Sequence, residues 1–471
     1  MRRVSVFFMA VSVVMLMISS LHAAPNAHER ITKAFKGDLP EMLDAHRPLR
    51  VLVSYNRTNF FMFKGEARGM EVDSMRDFEK FLKKKYPKRM IRLAFVPVPF
   101  DDLLPALLDG RGDIVAAGMT VTEKRRRKVA FSRPYRKEIM EVVVGGKASP
   151  PIKDLADLAG KRIHVMAGSS YEEHLKRLNT QFEAQGLKPV DVVAADPNLV
   201  TEDLLEMVGS GLVSYVVADN QLVEIWQQVY TDLTPYFAAS IHTGGTLAWA
   251  VRPGNIELLR VLNDFRGTVK EGSKLGNLFF KRYYVNTDWV KNPLNPLENS
   301  KLQSMADLFQ KYAKKYDFDW LKIAAQAYQE SHFDQNRKSR AGAVGVMQIK
   351  PSTAADPNVN VKDVYILENN IHAGVKYLRF LRDRYFQDVD ADARVDFALA
   401  AYNAGPARIA GLRTKAKEMG LNPNRWFGNV EWAAQNVIGS ETPTYVAHVQ
   451  MYYATYKGTA EVLTKRIEAM E

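Results

Sequence analysis

The sequence predicts two α/β lobes followed by a mainly α-helical domain. Between residues 50 and 251, short apolar runs alternate with amphipathic stretches of helical period. The alternation restarts after the turn-rich 145–151 segment, which divides it into two lobes. Beyond Asn292-Pro293-Leu294-Asn295-Pro296, a run of turn formers, almost everything has helical period and few clustered Val, Ile or Thr. A length of 471 residues suits two or three domains rather than one core. The reading divides the chain into an export segment at 1–24, a polar segment at 25–47, the two-lobed domain at 48–285, a linker at 286–300 and the helical domain at 301–471.

Composition narrows the function classes. Apolar residues make up 46% and charged residues 25%, which excludes a disordered or multi-span chain. Lys and Arg exceed Asp and Glu, 65 to 53, so the surface attracts anionic partners. Cysteine is absent, which removes disulfides, thiolate metal sites and thiol catalysis. Arg2 and Arg3 precede an almost unbroken apolar run over 4–21, and Ala23-Ala24 supplies a small-residue cleavage region. That pattern is a secretory signal, with an uncleaved anchor as the alternative because the run approaches the ~20 residues that span a bilayer. Export argues against nucleic acid and toward an envelope polymer as partner.

Within the first domain the elements follow in order. Strands are expected at 51–53, 91–98, 114–117 and 141–144, with helices at 72–86 and 101–109 between them. The second lobe has strands at 162–167, 190–194 and 213–218 and helices at 171–185 and 201–209. A strand at 246–251 is expected to return the chain to the first lobe.

Ligands of α/β folds gather at the carboxyl ends of strands. Thr120 and Arg125 follow one such strand, where a hydroxyl and a guanidinium can grip a carboxylate. Ser169 follows another and precedes a helix, where free N–H groups suit an anion. Asp219, after the 213–218 strand, suits an ammonium group. The bland alternative is a helix cap at Ser169 and a solvated basic run at 125–127. The wider pattern is Gly69-Met70-Glu71-Val72-Asp73, Asp113-Ile114, Thr120-Val121-Thr122 with Arg125, Phe131-Ser132-Arg133-Pro134-Tyr135 and Gly168-Ser169-Ser170-Tyr171. It resembles the bacterial amino-acid-type solute-binding proteins of family 3. The resemblance implies a two-lobed periplasmic binding fold in which Thr120 and Arg125 hold a ligand carboxylate and Asp219 its amino group. This chain departs from the pattern at Arg126-Arg127 and at Asn59-Phe60-Phe61. A clamp that closes on its ligand is also a device for regulating an attached domain.

In the helical domain Asp319 caps an expected helix at 320–332. On it Ile323, Ala327 and Glu330 share one stripe, so the glutamate extends an apolar face. Burial raises a carboxyl pKa and keeps the group protonated, as a general acid requires. The alternative is a buried glutamate paired with Arg or Lys. Gly342 to Ile349 form a glycine-flanked loop open to close approach, and Ala401-Tyr402-Asn403-Ala404 ends a helix at Gly405.

Taken together, Glu330-Ser331, Ser339, the 342–349 loop with Pro351, Ala401 to Gly405, and Glu441-Thr442 with Tyr445-Val446 resemble the family 1 lytic transglycosylases with a goose-type lysozyme-like fold. Val346 and Lys338 depart from the common pattern. The resemblance implies that Glu330 protonates the glycosidic oxygen and then, as carboxylate, takes the proton of the muramyl C6 hydroxyl, closing a 1,6-anhydro ring. It implies that Ser331 bonds near the acid, that Met347 and Gln348 line the groove, and that Tyr402 and Asn403 orient the sugar. Glu441 is the nearest candidate for a second acid and is assigned to the groove. The order of the two domains behind an export signal resembles the membrane-bound lytic murein transglycosylase F group. That implies a periplasmic protein peripheral to the outer membrane, with glycan strands of peptidoglycan as substrate and a muropeptide or amino acid at the clamp. A hydrolytic muramidase and a glycan-binding receptor are the rival readings. Nine scattered histidines, among them His332 and His372, show no metal-ligand spacing, so no metal or other cofactor is expected.

Overall fold

A computed structural model describes residues 31–268 and 300–470, apart from 32, 46, 64, 65 and 90. The expected export segment and positions 286–299 of the expected linker lie outside the described residues.

The polar N-terminal segment contains the short helix α1 (Leu39–Asp44), capped by the Asp38 side chain with Glu41 returning the bond. It docks through buried Leu39, Met42 and Leu43. The first lobe then forms around β1 (Leu49–Val53), whose five residues are all buried, as a parallel strand covered on both faces requires. A hairpin of β2 (Phe61–Phe63) and β3 (Glu66–Arg68) leads into α2 (Met70–Lys85). β4 (Leu93–Pro97), α3 (Leu103–Leu108), β5 (Ile114–Val115), α4 (Glu123–Arg126) and β6 (Ala130–Phe131) follow. β4 and β5 lie parallel to β1 on its two sides, which leaves β4 at the sheet edge. Arg50, with no solvent exposure, pairs with Asp113 at 3.0 Å and donates to the carbonyls of Lys33 and Gly110. A buried charge is stable only when paired and fully bonded, and this one ties the N-terminal segment to the sheet.

The second lobe is built on the long strand β7 (Arg136–Gly145), which corrects the expected division at 145–151, since pairing with the 215–219 strand puts residues 141–145 in the second-lobe sheet. β8 (Arg162–Val165), α5 (Ser170–Ala184), β9 (Asp191–Ala194), α6 (Thr201–Gly209), β10 (Tyr215–Asp219) and α7 (Asn220–Trp226) come next. β11 (Thr234–Tyr236) and β12 (His242–Leu247) pair antiparallel with β7, as β10 does. The strand expected at 246–251 is two strands. β12 ends at Leu247 on the second-lobe sheet, and β13 (Ala250–Val251) joins the first-lobe sheet between β5 and β6. Trp249 forces the break: it is buried in the first lobe, donates to Glu71 at 2.7 Å and stacks on Phe265 of α8 (Ile256–Thr268).

The lobes touch across their cleft. Arg57 pairs with Glu206 at 2.7 Å and donates to Tyr230, Trp226 donates to Thr58, and Thr122 donates to Glu173 at 3.1 Å.

The rest is helical: α9 (Ser300–Tyr316), α10 (Trp320–Ser331), α11 (Pro351–Ala355), α12 (Leu367–Tyr385), α13 (Ala391–Ala404), α14 (Pro406–Glu418), α15 (Glu431–Ile438) and α16 (Glu441–Met470). α16 packs on α10 on one side and on the edge strand β4 on the other. At Gly458 a side chain would place Cβ 2.9 Å from Pro97 Cγ, so glycine permits this close approach. Arg92 reaches from the start of β4 to Glu431 at 3.3 Å and to the Pro443 carbonyl at 3.2 Å. The helix that covers β4 is therefore part of both domains' cores.

Candidate active site

α10 starts where the sequence places it. The Asp319 carboxylate accepts from the Leu321 N–H, and Ile323 and Ala327 have no exposed surface. Glu330 continues that stripe and emerges only in part at the surface. Desolvation pushes its carboxyl up to about 7, partly opposed by a hydrogen bond from Tyr445 and by the charge of Arg337. The Tyr445 hydroxyl donates to Glu330 Oε1 at 2.6 Å. The group that holds the acid is thus a phenol of α16, where the bland sequence alternative had Arg or Lys. A phenol keeps the carboxyl in place without forcing it to ionise.

The loop at 342–349 is fixed behind the acid. Gly345 has φ of +75°, and a side chain there would place Cβ 2.3 Å from the Asn370 amide nitrogen. Asn370, fully buried on α12, accepts from the Met347 N–H at 2.8 Å and donates to the Val344 and Val364 carbonyls, each at 2.9 Å. Ser331 is buried and donates to the Val346 carbonyl at 2.8 Å while accepting from the Asp334 N–H. Its hydroxyl is therefore spent on the loop, a correction to the expected place beside the acid and the sugar. Met347 is also corrected: its side chain is fully buried and packs against Gly374, because the Asn370 bond turns it inward. What Met347 offers is a carbonyl, which accepts from the Tyr402 hydroxyl at 2.8 Å. Gln348 is half-buried, and its amide donates to the Arg337 and Gly345 carbonyls.

Tyr402 and Asn403 end α13, which stops at Gly405 with φ of +88°. Tyr402 lies within electrostatic range of Glu330, which adds to the burial that raises its phenol well above the ordinary value. Asn403 is exposed and accepts from Thr442 at 2.7 Å, which joins α13 to the start of α16. Glu441 is exposed in the first turn of α16, where a negative charge suits the helix N-terminus. His332 is exposed with a left-handed backbone, and His372 stacks on Tyr312 and bonds Tyr316 at 2.7 Å.

Two contributors have no role in the sequence reading. Tyr445 occurs there only as part of the Glu441–Val446 segment, and its spacing from the exposed Glu441 does not mark it as inward-facing. Asn370 sits in a polar helix start and carries no signal at all.

In the first domain Arg125 is buried and donates to the Thr120 carbonyl at 2.5 Å and to the Gly168 carbonyl of the other lobe at 3.0 Å. Thr120 is buried. Ser169 has a buried hydroxyl without a hydrogen-bond partner. Arg125 and Ser169, but not Thr120 or Asp219, line a cavity of about 170 Å³ together with Lys124, Lys128, Glu173 and Lys176. That is below the roughly 300–1,000 Å³ of drug-sized sites and suits a small polar ligand. Asp219 accepts from the Tyr171 hydroxyl at 3.1 Å, and burial followed by the nearby Glu141 pushes its carboxyl up to about 8.

The acid's surroundings have a cost in stability. Its folded pKa lies above the unfolded value, so the penalty is absent below the ordinary glutamate range, grows through pH 4.5 to 7 and is full above that. E330Q removes it. In denaturant titrations the advantage of E330Q over wild type should therefore grow by roughly 2–3 kcal/mol between pH 5 and pH 8.5. An advantage independent of pH contradicts the desolvated carboxyl.

Comparison with known proteins agrees with this architecture. Residues 307–423 match the Transglycosylase SLT domain, and residues 49–284 match the bacterial extracellular solute-binding proteins, family 3. A protein named membrane-bound lytic murein transglycosylase F from Desulfosudis oleivorans is 31% identical over 88% of this chain and 90% of its own length. One of the same name from Methylobacillus flagellatus is 29% identical over 80% of this chain and 78% of its own. An ancestral arginine-binding protein solved with arginine is 29% identical over 50% of this chain and 98% of its own, with a TM-score of 0.42. With a two-lobed solute-binding domain joined to an SLT domain, the chain belongs to the membrane-bound lytic murein transglycosylase F family and hence to the lytic transglycosylases.

Proposed function

We propose that this protein cleaves the β-1,4 bond between N-acetylmuramic acid and N-acetylglucosamine of peptidoglycan without water, leaving 1,6-anhydromuropeptides. The observation that carries the reading is Glu330, a carboxyl held near neutral pKa by desolvation and touched by a neutral phenol. In its protonated form it delivers a proton to the glycosidic oxygen as the C1–O bond breaks. The resulting carboxylate takes the proton of the C6 hydroxyl while that oxygen bonds to C1. One carboxyl is regenerated in its starting form, so no second acid is required. A hydrolase would pair it with a second carboxylate to handle water. Glu441, the candidate from sequence, stands exposed on the helix surface. Gln348, Tyr402 and Asn403 are the residues proposed to meet the sugar, while Ser331 and Met347 hold the loop.

The first domain is proposed to bind a peptide-stem fragment or an amino acid between Arg125, Thr120, Ser169 and Asp219, and to tune cleavage. Support comes from α16, which carries Tyr445 and also packs on β4 of the ligand-binding lobe. A change in that lobe has a short route to the acid. The protein is proposed to be exported, to act in the periplasm and to attach peripherally to the outer membrane. No described helix is long and apolar enough to cross a membrane.

Mass spectrometry of digested sacculi tests the chemistry. Wild type should release products one water lighter than a hydrolase would, and E330Q should lose at least about 100-fold in rate, the scale of general-acid catalysis. Products carrying the added water, or an active E330Q, contradict it. Calorimetry with free amino acids and short peptide-stem fragments should give binding that R125M abolishes, together with altered turnover in wild type. Absence of heat, or binding that leaves turnover unchanged, removes the regulatory role.

A further inference from the structure

Gln326 lies one helical turn before Glu330 on α10 and has no exposed surface. Its amide nitrogen donates to the Tyr445 hydroxyl oxygen at 3.3 Å, and the same hydroxyl donates to Glu330 Oε1 at 2.6 Å. The Gln326 carbonyl oxygen is buried without a partner. A bare buried carbonyl is destabilising, and an apolar side chain of the same length would avoid that cost. Packing therefore gives no reason for an amide here.

We propose that Gln326 is a positioning residue that fixes the direction of the hydrogen bond between Tyr445 and the acid. This rests on the assignment of Glu330 as the proton donor. A phenol can give its proton to Glu330 or accept one from it. With the amide N–H pointing at the phenol oxygen, that oxygen is already accepting, and its own proton is directed to Glu330 Oε1. The proton of the acid is then kept on Oε2, the oxygen that Tyr445 does not engage, and is free to go to the glycosidic oxygen. After transfer the phenol still donates, now to a carboxylate, and steadies it until the C6 hydroxyl returns a proton. If the amide were turned over, the phenol would donate to Gln326 and the acid's proton would be drawn to Oε1 and into the protein. The orientation of one amide thus selects which carboxyl oxygen is acidic.

Gln326 acts only through Tyr445, and this separates it from a packing residue. The charged and titratable groups acting on Glu330 are Tyr445 on α16, Arg337 on the following loop and Tyr402 on α13. Q326M keeps the length of the side chain and removes the donor; Q326L is a second donor-free variant should the first fold poorly. The experiment is the pH dependence of murein turnover for the full chain. In wild type, activity falls as Glu330 ionises. Without the amide the phenol is a weaker donor to the carboxylate, so ionisation is harder and the alkaline limb moves up, by roughly half a pH unit. kcat on the acid side falls on the order of 5-fold with KM unchanged, since Gln326 touches no substrate. In a Y445F background the same substitution should leave the limb where it is. A limb that moves down means the amide faces the other way and overturns the proposal. So does an unmoved limb, or an equal shift in the Y445F background. A wild type that does not cleave murein sinks the assignment of Glu330 and this proposal with it, whereas a cleaving wild type with an unmoved Q326M limb sinks only the latter.

Discussion

Glu330 and Tyr445 are 115 residues apart in the chain and 2.6 Å apart in the fold, and the catalytic domain is arranged around keeping them so. The carboxyl needs an apolar wall to stay protonated and a donor to stay in place. α10 supplies the wall through Ile323 and Ala327, and α16 supplies the donor. The neutral partner matters. An arginine at the same distance would hold the carboxyl ionised at neutral pH, and the proposed general acid would be lost. The loop at 342–349 is fixed separately by Asn370, Ser331 and Tyr402, so its backbone does not depend on the state of the acid.

α16 links this site to the other domain. Its first turns carry Thr442 against Asn403 and Tyr445 against Glu330, while further along Gly458 lets it lie on Pro97 of β4. β4 is an edge strand, and an edge covered by a helix is both protected from stray pairing and committed to that partner. The pair Arg92–Glu431 adds a charged tie at the same border. The two domains share a core, not merely a linker.

Much of this is legible in the sequence where the signals are local. The Asp319 cap and the Ile323–Ala327–Glu330 stripe give α10 nearly to the residue, and Gly405 with Pro406 marks the end of α13. Glycines around the 342–349 loop announce a close approach, and Gly345 against Asn370 is that approach. Less legible is anything that depends on which distant side chain arrives. Ser331 and Met347 have the right address and the wrong orientation, because a buried loop uses one hydroxyl and turns one side chain inward. Tyr445 and Gln326 become meaningful only once α16 is laid on α10. The strand expected at 246–251 is broken at Trp249, whose partner Glu71 lies 178 residues away in sequence. Periodicity reports the face a residue occupies; it does not report the neighbour.

The central claim is that a single carboxyl stays protonated close to neutral pH because protein has displaced its water. Difference infrared titration of wild type against E330Q isolates the C=O stretch of that one group. The account requires the band to persist through pH 6 and to vanish with a midpoint near 7. A midpoint near the ordinary glutamate value of about 4.3 would show a solvated carboxylate and contradict it.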